Sequence, residues 1–168
     1  RPEQYGIYPD GVSKGSEWLS LFSDAAANRK PIALSGTGGT GSTDYVSSVT
    51  LPIHTGLSIT GPGRDSCTIR FTNDTDGFNT ATGTLTSGFS LKGFKVRGNA
   101  KKSSSSSKTT GFRLRPCRDF DLDVASENFV DGVVMDAEST GFINGEGKVH
   151  TYHTQWPNPT NSSPRYGT

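Results

Sequence analysis

The sequence is poor in apolar residues, in cysteine and in excess charge of either sign. Apolar and aromatic residues make up 30% of the 168 positions, and the mean hydropathy is −0.53. No run approaches the ~18 apolar residues of a membrane-spanning helix, so we expect no membrane insertion. The formal net charge of +1 provides no global basic excess, so we expect no nucleic acid partner.

Cysteine and histidine are too scarce for a disulfide framework or a zinc site. Cys67 and Cys117 each lie among alternating apolar residues, so we expect two buried free thiols. A zinc ion would need further ligands beside His150 and His153, and the sequence shows no helix that would align this pair. We therefore expect no metal.

A glycine-rich segment at 36–43 nearly matches a phosphate-binding loop. That motif needs a lysine before its Ser or Thr, and Ser42 stands at the lysine position. The loop should also open a helix, whereas the residues from Val46 to Ile53 have the pattern of a strand. We interpret the segment as a loop between strands and expect no cofactor.

The residues that are abundant favour β-structure. Nine Phe, five Tyr and two Trp are too many for a chain that stays disordered. The chain also has 21 Gly and 9 Pro and is rich in Ser and Thr, all of which are poor residues for a helix interior. Length and composition together predict one all-β domain.

One helix is predicted, with Ser16 as its N-cap and Glu17 in the first turn, where the helix dipole favours an anion. Asn28, Arg29 and Pro31 end it. Its apolar residues recur at helical spacing and are Trp18, Leu19, Leu21, Phe22, Ala25 and Ala26.

After Pro31 the apolar period changes to two, which is typical of short, half-buried strands. The strands are separated by turn residues and are predicted to place every second side chain in the core. The predicted inward residues are Ile32, Leu34, Val49, Leu51, Ile53, Leu57, Ile59, Cys67, Ile69, Phe71, Phe89, Leu91, Phe94, Val96, Phe112, Leu114, Phe120, Leu122, Val124, Val133 and Met135.

The opening resembles the start of a pectate-lyase-like right-handed parallel β-helix. The pair Tyr5-Gly6, the segment Asp10-Gly11-Val12, a helix and a strand follow one another as they do in that family. The segment from Leu57 to Gly63 resembles the glycine turn after an early coil. The resemblance covers about residues 5–150 and implies a solenoid with one N-terminal capping α-helix. An all-β sandwich is the alternative fold.

The resemblance divides the chain into three parts. Residues 1–30 are the lead-in and capping helix, and residues 31–150 are the parallel β-helix coils, with a flexible loop at 100–110. Residues 151–168 are a polar tail. Because a solenoid needs closing at both ends and the sequence shows a cap only at its start, we expect the tail to be truncated.

Within that superfamily, the opening is most similar to the β-helix of bacteriophage tail spikes and capsule depolymerases. The resemblance implies a homotrimer of the virion tail that binds bacterial surface polysaccharide, either capsule or O-antigen, during host attachment. Whether the module also depolymerises the polysaccharide, as a glycoside hydrolase or lyase, stays open. A non-catalytic structural or assembly module of a trimeric spike or fibre is the alternative. A free pectinolytic enzyme is a weaker hypothesis, because the sequence lacks the arginine motif of pectate lyases and the Gly-His-Gly motif of polygalacturonases.

The polar sides of the predicted strands supply the candidate site residues. Asp121 and Asp123 project from one face of a strand roughly 6.5–7 Å apart, a separation that suits the acid and base of an inverting glycosidase. The outward cations are candidates for binding an anionic sugar chain, and Trp156 is a candidate for stacking on a sugar ring. These cations are Lys92, Lys95, Arg97, Arg113 and Arg115. The structural alternative is that the charged rows pair with one another across neighbouring strands.

Overall fold

The computed structural model describes residues 1–37, 43–73, 75–99, 109–136 and 143–152. Within these ranges the chain is mostly β-structure, with one α-helix, α1 (Ser16–Asn28), and a 3-10 helix at Pro2–Tyr5. The strands are β1 (Ser13–Lys14), β2 (Ile32–Ala33), β3 (Tyr45–Ser47), β4 (Leu51–Ile53), β5 (Ser58–Thr60), β6 (Thr68–Phe71), β7 (Phe78–Thr80), β8 (Thr86–Ser87), β9 (Ser90–Arg97), β10 (Thr110–Leu114), β11 (Cys117–Glu127), β12 (Asp131–Met135) and β13 (Ile143–Tyr152).

The strands form two sheets. The larger sheet has nine strands. Six of them follow the path β1-β3-β6-β9-β11-β13. Of the other three, β2 pairs with β5, β5 pairs with β9, and β8 pairs with β11. The smaller sheet has four strands in the order β12-β10-β7-β4. Every strand pairing among the described residues is parallel. Immunoglobulin-like sandwiches consist of antiparallel sheets, so the parallel pairing argues against the sandwich alternative.

The register aligns apolar residues of neighbouring strands. Ile59 pairs with Ile32 on one side and with Leu91 on the other, and Leu91 pairs with Leu122. All four side chains are at least 98% buried. Because alternate residues of a strand face opposite sides, this alignment gives the larger sheet one apolar face and one polar face.

One hydrophobic cluster joins both sheets and the helix. Phe78 of the smaller sheet packs against Phe71 and Phe94 of the larger sheet, with ring centroids 6.2 and 5.7 Å apart. Phe78 also stacks on Phe112 at 5.6 Å and contacts Phe22 of α1 at 6.0 Å. The apolar alternation predicted most of this core but missed Phe78, Tyr45 and Phe129. It also includes three residues that are not fully buried.

The exceptions are Val49, Val133 and Met135. The two valines are only partly buried, although both pack against the core. Met135 is 57% exposed, so its predicted burial is wrong. Met135 ends β12, which pairs with β10 alone within the described part of the chain. Its inward side chain therefore lacks the second neighbouring strand that covers most other inward residues.

The helix is predicted correctly, but its N-cap is not. Gly15 is the N-cap, and Ser16 is the first helical residue, whose hydroxyl donates to the Glu17 carboxylate instead of capping the backbone. Leu19 is 44% exposed because it lies outside the buried stripe of α1. That stripe consists of Trp18, Leu21, Phe22 and Ala25.

Trp18 anchors the helix to β3. Its indole N–H donates to the Val46 carbonyl at 3.0 Å, and its ring packs edge-on against Tyr45 at 5.9 Å. The Tyr45 hydroxyl in turn donates to Glu3 Oε1 at 2.8 Å, which ties the N-terminal 3-10 helix to the same strand. Burial raises the pKa of Tyr45 to about 12, so this hydroxyl stays protonated as the donor.

A bulge at Gly93 determines which side chains of β9 face outward. The register with β11 shifts by one residue between Lys92 and Phe94. Gly93 has a left-handed φ of +69°, and a Cβ at this position would collide with the carbonyl oxygen of Gly61. The extra residue allows Phe94 to face the core even though Lys92, two positions earlier, faces outward.

Two predicted boundaries differ from the strands. The loop predicted at 100–110 lies mostly outside the described residues, but Thr110 already belongs to β10. β13 continues to Tyr152, across the boundary predicted at residue 150. In the part of the chain that the structure describes, no helix is long and apolar enough to cross a membrane.

Replacing the bulge glycine tests this packing. We expect Gly93→Ala to lower the free energy of unfolding by about 2–4 kcal/mol, because it adds both left-handed strain and a backbone collision. Gly88→Ala is the matched control, since Gly88 has a φ of +65° and no atom within 4 Å of a built Cβ. It should cost only about 1 kcal/mol. If urea unfolding shows that both variants lose the same free energy of unfolding, the account of the bulge is contradicted.

Candidate functional site

The larger sheet brings five of the predicted site residues together. Lys92, Lys95 and Arg97 lie on β9, and Asp121 and Asp123 lie on the neighbouring strand β11. All five alternate with buried core residues and therefore project from the side opposite the core. We call this side of the larger sheet the outer face.

The other predicted residues do not join them. Arg113 and Arg115 lie on β10 in the smaller sheet. Arg113 Nε donates to Asp76 Oδ2 at 2.7 Å, and this hydrogen bond raises the pKa of the guanidinium. Arg115 Nη1 donates to the Thr80 carbonyl at 3.1 Å. Trp156 lies outside the described residues.

Four charged side chains meet on the exposed part of the outer face. We call Arg64, Lys92, Asp121 and Asp123 the charged quartet. The Lys92 ammonium forms an ion pair with Asp121 Oδ2, and Arg64 Nε lies 3.7 Å from Asp123 Oδ1. The side chains of Asp121 and Asp123 are 53% and 50% exposed, and those of Lys92 and Arg64 are 44% and 33% exposed. The quartet is therefore accessible to a ligand.

The quartet can exchange its internal contacts for contacts with a ligand at little cost. Exposed ion pairs contribute about 0–1 kcal/mol each to folding, so replacing the Lys92–Asp121 pair by polar ligand atoms loses little stability. The carboxylates can accept hydrogen bonds from hydroxyl groups, and the two cations can donate to oxygen atoms. This combination suits a polyhydroxylated ligand.

The same geometry supports acid catalysis less well. The proton donor of an inverting glycosidase is a carboxyl group whose surroundings keep it protonated until it acts. Asp121 and Asp123 are each about half exposed and have a cation beside them. Neither side chain is enclosed in the apolar surroundings that are typical of such a proton donor. The arrangement is thus better suited to binding than to proton transfer.

Lys95 and Arg97 do not belong to the quartet. They form a second group with Asp44, Arg70 and Glu127, which we call the buried charge network. Lys95 Nζ lies 3.0 Å from Glu127 Oε2, and Arg97 Nη1 donates to Asp44 Oδ2 at 3.1 Å. Arg70 Nε lies 3.9 Å from the same Asp44 oxygen. The Asp44 side chain is fully buried, and Lys95 and Arg97 are only 15% and 20% exposed. Lys95 and Arg97 are therefore already paired with carboxylates of the chain itself and are not available to a ligand.

The pKa values of the two carboxylates in the network, Asp44 and Glu127, shift in opposite directions. Burial raises the pKa of Asp44 above its ordinary value of 3.8, because lost hydration outweighs the attraction of Arg97, Arg70 and Lys95. Burial also acts on Glu127, but the contacts with Lys95 and Arg97 together outweigh it and hold the pKa below the ordinary 4.5. The network is therefore coupled to the fold and responds to pH.

Arg64 is the member of the quartet that the alternating pattern does not reveal. It lies in the turn between β5 and β6, outside every strand. Its guanidinium nevertheless reaches Asp123 on β11, two strands away across β9. In the sequence, Gly61 and Gly63 indicate a tight turn just before Arg64. They do not indicate which residue the Arg64 side chain contacts.

Among the described residues there is neither a metal-binding cluster nor a reactive thiol. No group of three or more His, Cys, Asp or Glu side chains that could hold a metal ion occurs among them. Cys67 and Cys117 are buried free thiols, as predicted. Burial raises the pKa of Cys67 to about 12 and that of Cys117 to about 11, so neither is a reactive thiolate near neutral pH.

No protein-family model, curated protein or solved structure matches this chain. The outer face differs from one end to the other in how far its charges are open to solvent. Its quartet is open to solvent, whereas the neighbouring network is closed by internal pairing.

The buried charge network makes a prediction about pH. As pH rises through 3.8, the unfolded chain releases the Asp44 proton before the folded chain does, so this group lowers the free energy of unfolding. Asp44→Asn removes that loss. We expect the difference in unfolding free energy, variant minus wild type, to rise from acidic pH to about pH 7 in urea titrations.

Glu127→Gln is the control with the opposite sign. Above pH 4.5, the ionised Glu127 stabilises the fold. This contribution is lost as pH falls through the pKa that Glu127 has in the folded chain, which lies below 4.5. For this variant, the difference from wild type should therefore fall over the same pH range. The account of the network is wrong if both variants change with pH in the same direction.

Proposed function

We propose that the chain is a right-handed parallel β-helix module of the phage tail-spike type, which binds bacterial surface polysaccharide. The solenoid is supported by the register: strand partners such as Ile32, Ile59, Leu91 and Leu122 recur about 20–35 residues apart, the period of a solenoid repeat. Parallel strands joined by crossovers in one sheet are right-handed in nearly all proteins.

The helix supports the same interpretation. The apolar stripe of α1 packs onto β3 through Trp18 and reaches β7 through Phe22. A solenoid exposes its core at the end where it starts, and an amphipathic helix at that end removes the apolar surface from water. We therefore interpret α1 as the N-terminal cap.

The charged quartet is the observation that carries the proposed function. It presents two carboxylates and two cations on the outer face, and its weak ion pairs leave the polar atoms available to sugar hydroxyls. In the tail-spike hypothesis this face meets capsule or O-antigen at the virion tail, within a homotrimer. The proposal is for binding, and depolymerisation at Asp121 and Asp123 is the catalytic variant of it.

A structural or assembly module of a trimeric spike is the second candidate. The observation that favours it is the internal pairing of Lys95, Arg97 and Arg113 with Glu127, Asp44 and Asp76. These pairs stabilise the fold and leave fewer cations for a ligand. This candidate expects a trimer without sugar affinity, which sedimentation velocity and a binding assay on the same preparation distinguish from the first.

Binding is tested on a panel of capsular and O-antigen polysaccharides by biolayer interferometry. We expect the chain to bind at least one member, and Lys92→Ala to weaken that binding about tenfold, because it removes one cation of the quartet. Lys30→Ala removes an exposed lysine that is paired with Asp24 of α1 and not with a quartet carboxylate, so it should leave the affinity unchanged. Absence of binding across the panel, or equal weakening by both variants, would refute the proposal.

Cleavage is tested separately. We expect incubation with the bound polysaccharide to release no fragments, since neither carboxylate of the quartet is shielded from water as a proton donor requires. If size-exclusion chromatography does detect fragments, the catalytic variant predicts that Asp121→Asn or Asp123→Asn abolishes them with an unchanged melting temperature. Full activity in both variants would remove this pair as the catalytic site.

A further inference from the structure

We propose that the charged quartet recognises an uncharged pyranose unit through two neighbouring hydroxyl groups, held between the Arg64 guanidinium and the Asp123 carboxylate. This inference rests on the proposed polysaccharide binding and names the class of sugar. In this geometry Arg64 donates hydrogen bonds to the hydroxyl oxygens, and Asp123 accepts hydrogen bonds from their protons.

The backbone holds Arg64 in place. Gly61 N–H donates to the Lys92 carbonyl at 2.8 Å, and Gly63 N–H donates to the Gly93 carbonyl at 2.8 Å. Ser66 N–H closes the turn on the Gly63 carbonyl at 3.1 Å. The turn that carries Arg64 is thus fastened to β9 on the residues that form the bulge. A rigid support of this kind reduces the entropy lost when a ligand binds.

The Arg64 side chain is partly exposed to solvent, but not all of its nitrogen atoms are. Arg64 Nη1 is buried and has no hydrogen-bond partner among the described residues, while the side chain as a whole is 33% exposed. Because a ligand cannot reach the buried Nη1, we assign ligand contact to Nε and Nη2. Nε lies 3.7 Å from Asp123 Oδ1, which is longer than a hydrogen bond. Hydroxyl groups can therefore bind both side chains without breaking a direct hydrogen bond between them.

The balance of charge favours an uncharged sugar. The quartet has two positive and two negative groups, and its carboxylates are more exposed than its cations. A carboxylate on the sugar would meet Asp121 and Asp123 first, and like charges placed together disfavour binding.

Toward β5, the outer face beside the quartet carries short hydroxyl side chains. In the register, Ser58 and Ser90 continue the row of Asp121, and Thr60 and Lys92 continue the row of Asp123. Ser58 and Ser90 are partly exposed, and Thr60 is exposed. These three short hydroxyl side chains beside the quartet extend the surface that can hydrogen-bond to sugar hydroxyls.

The test uses matched pairs of oligosaccharides that differ only at C6. Gluco-, manno- and galacto-configured oligosaccharides are titrated into the chain by calorimetry, beside the corresponding oligouronates, at low salt and at about 0.5 M salt. We expect at least one neutral oligosaccharide to bind, its uronate to bind about tenfold more weakly at low salt, and the neutral affinity to change less than about twofold with salt.

Variants of Arg64 test its role. Arg64→Gln should weaken binding of the neutral oligosaccharide about tenfold, and Arg64→Lys should weaken it as well, because lysine keeps the charge but not the planar fork. Arg118→Gln is the control, since Arg118 is an exposed arginine paired with its neighbour Asp119. Thermal melting confirms that each variant is folded.

The outcomes separate this inference from the proposed function. If an oligouronate binds more tightly than its neutral partner and loses affinity with salt, polysaccharide binding stands and the uncharged-sugar inference is wrong. Unchanged affinity in Arg64→Gln also overturns it. If no oligosaccharide and no polysaccharide of the panel binds, both proposals fail.

Discussion

The close approach of Gly61 and Gly93 is the constraint on which the outer face depends. Each glycine leaves room for the carbonyl oxygen of the other, so the turn after β5 can lie directly on the bulge of β9. The bulge changes the alternation of β9, so that apolar residues before and after it both enter the core. The same contact positions Arg64. Core packing and the charged quartet therefore share one backbone junction.

The charged side chains of the outer face form two groups that differ in burial and in role, the buried charge network and the charged quartet. The buried charge network pairs Lys95 and Arg97 with carboxylates that water scarcely reaches, and removing either partner would leave an uncompensated charge. Three members of the quartet lie on the same two strands, β9 and β11, but in solvent, where ion pairs are weak and exchangeable. A strand exterior that looks like one continuous charged row thus contains a structural part and a part available to a ligand.

The sequence predicts the core well because burial follows the two-residue period of the backbone, which is local. Contacts that depend on distant chain segments are not predictable in this way. Arg64 reaches Asp123 because its turn is hydrogen-bonded to Lys92 and Gly93 of β9, which come about thirty residues later in the chain. Likewise, the alternation places Lys92 and Arg113 in one set, although their strands, β9 and β10, belong to different sheets. Met135 is exposed because of where its sheet ends.

Mapping the ligand on the backbone by NMR tests the central claim, that the outer face around the quartet binds sugar, most directly. Amide signals of the isotopically labelled chain would be followed during titration with a polysaccharide fragment. The account predicts shifts at Thr60, Lys92 and Asp123 and unchanged signals around Arg113 on the smaller sheet. Shifts confined to the smaller sheet, or no shifts with any fragment, would contradict it.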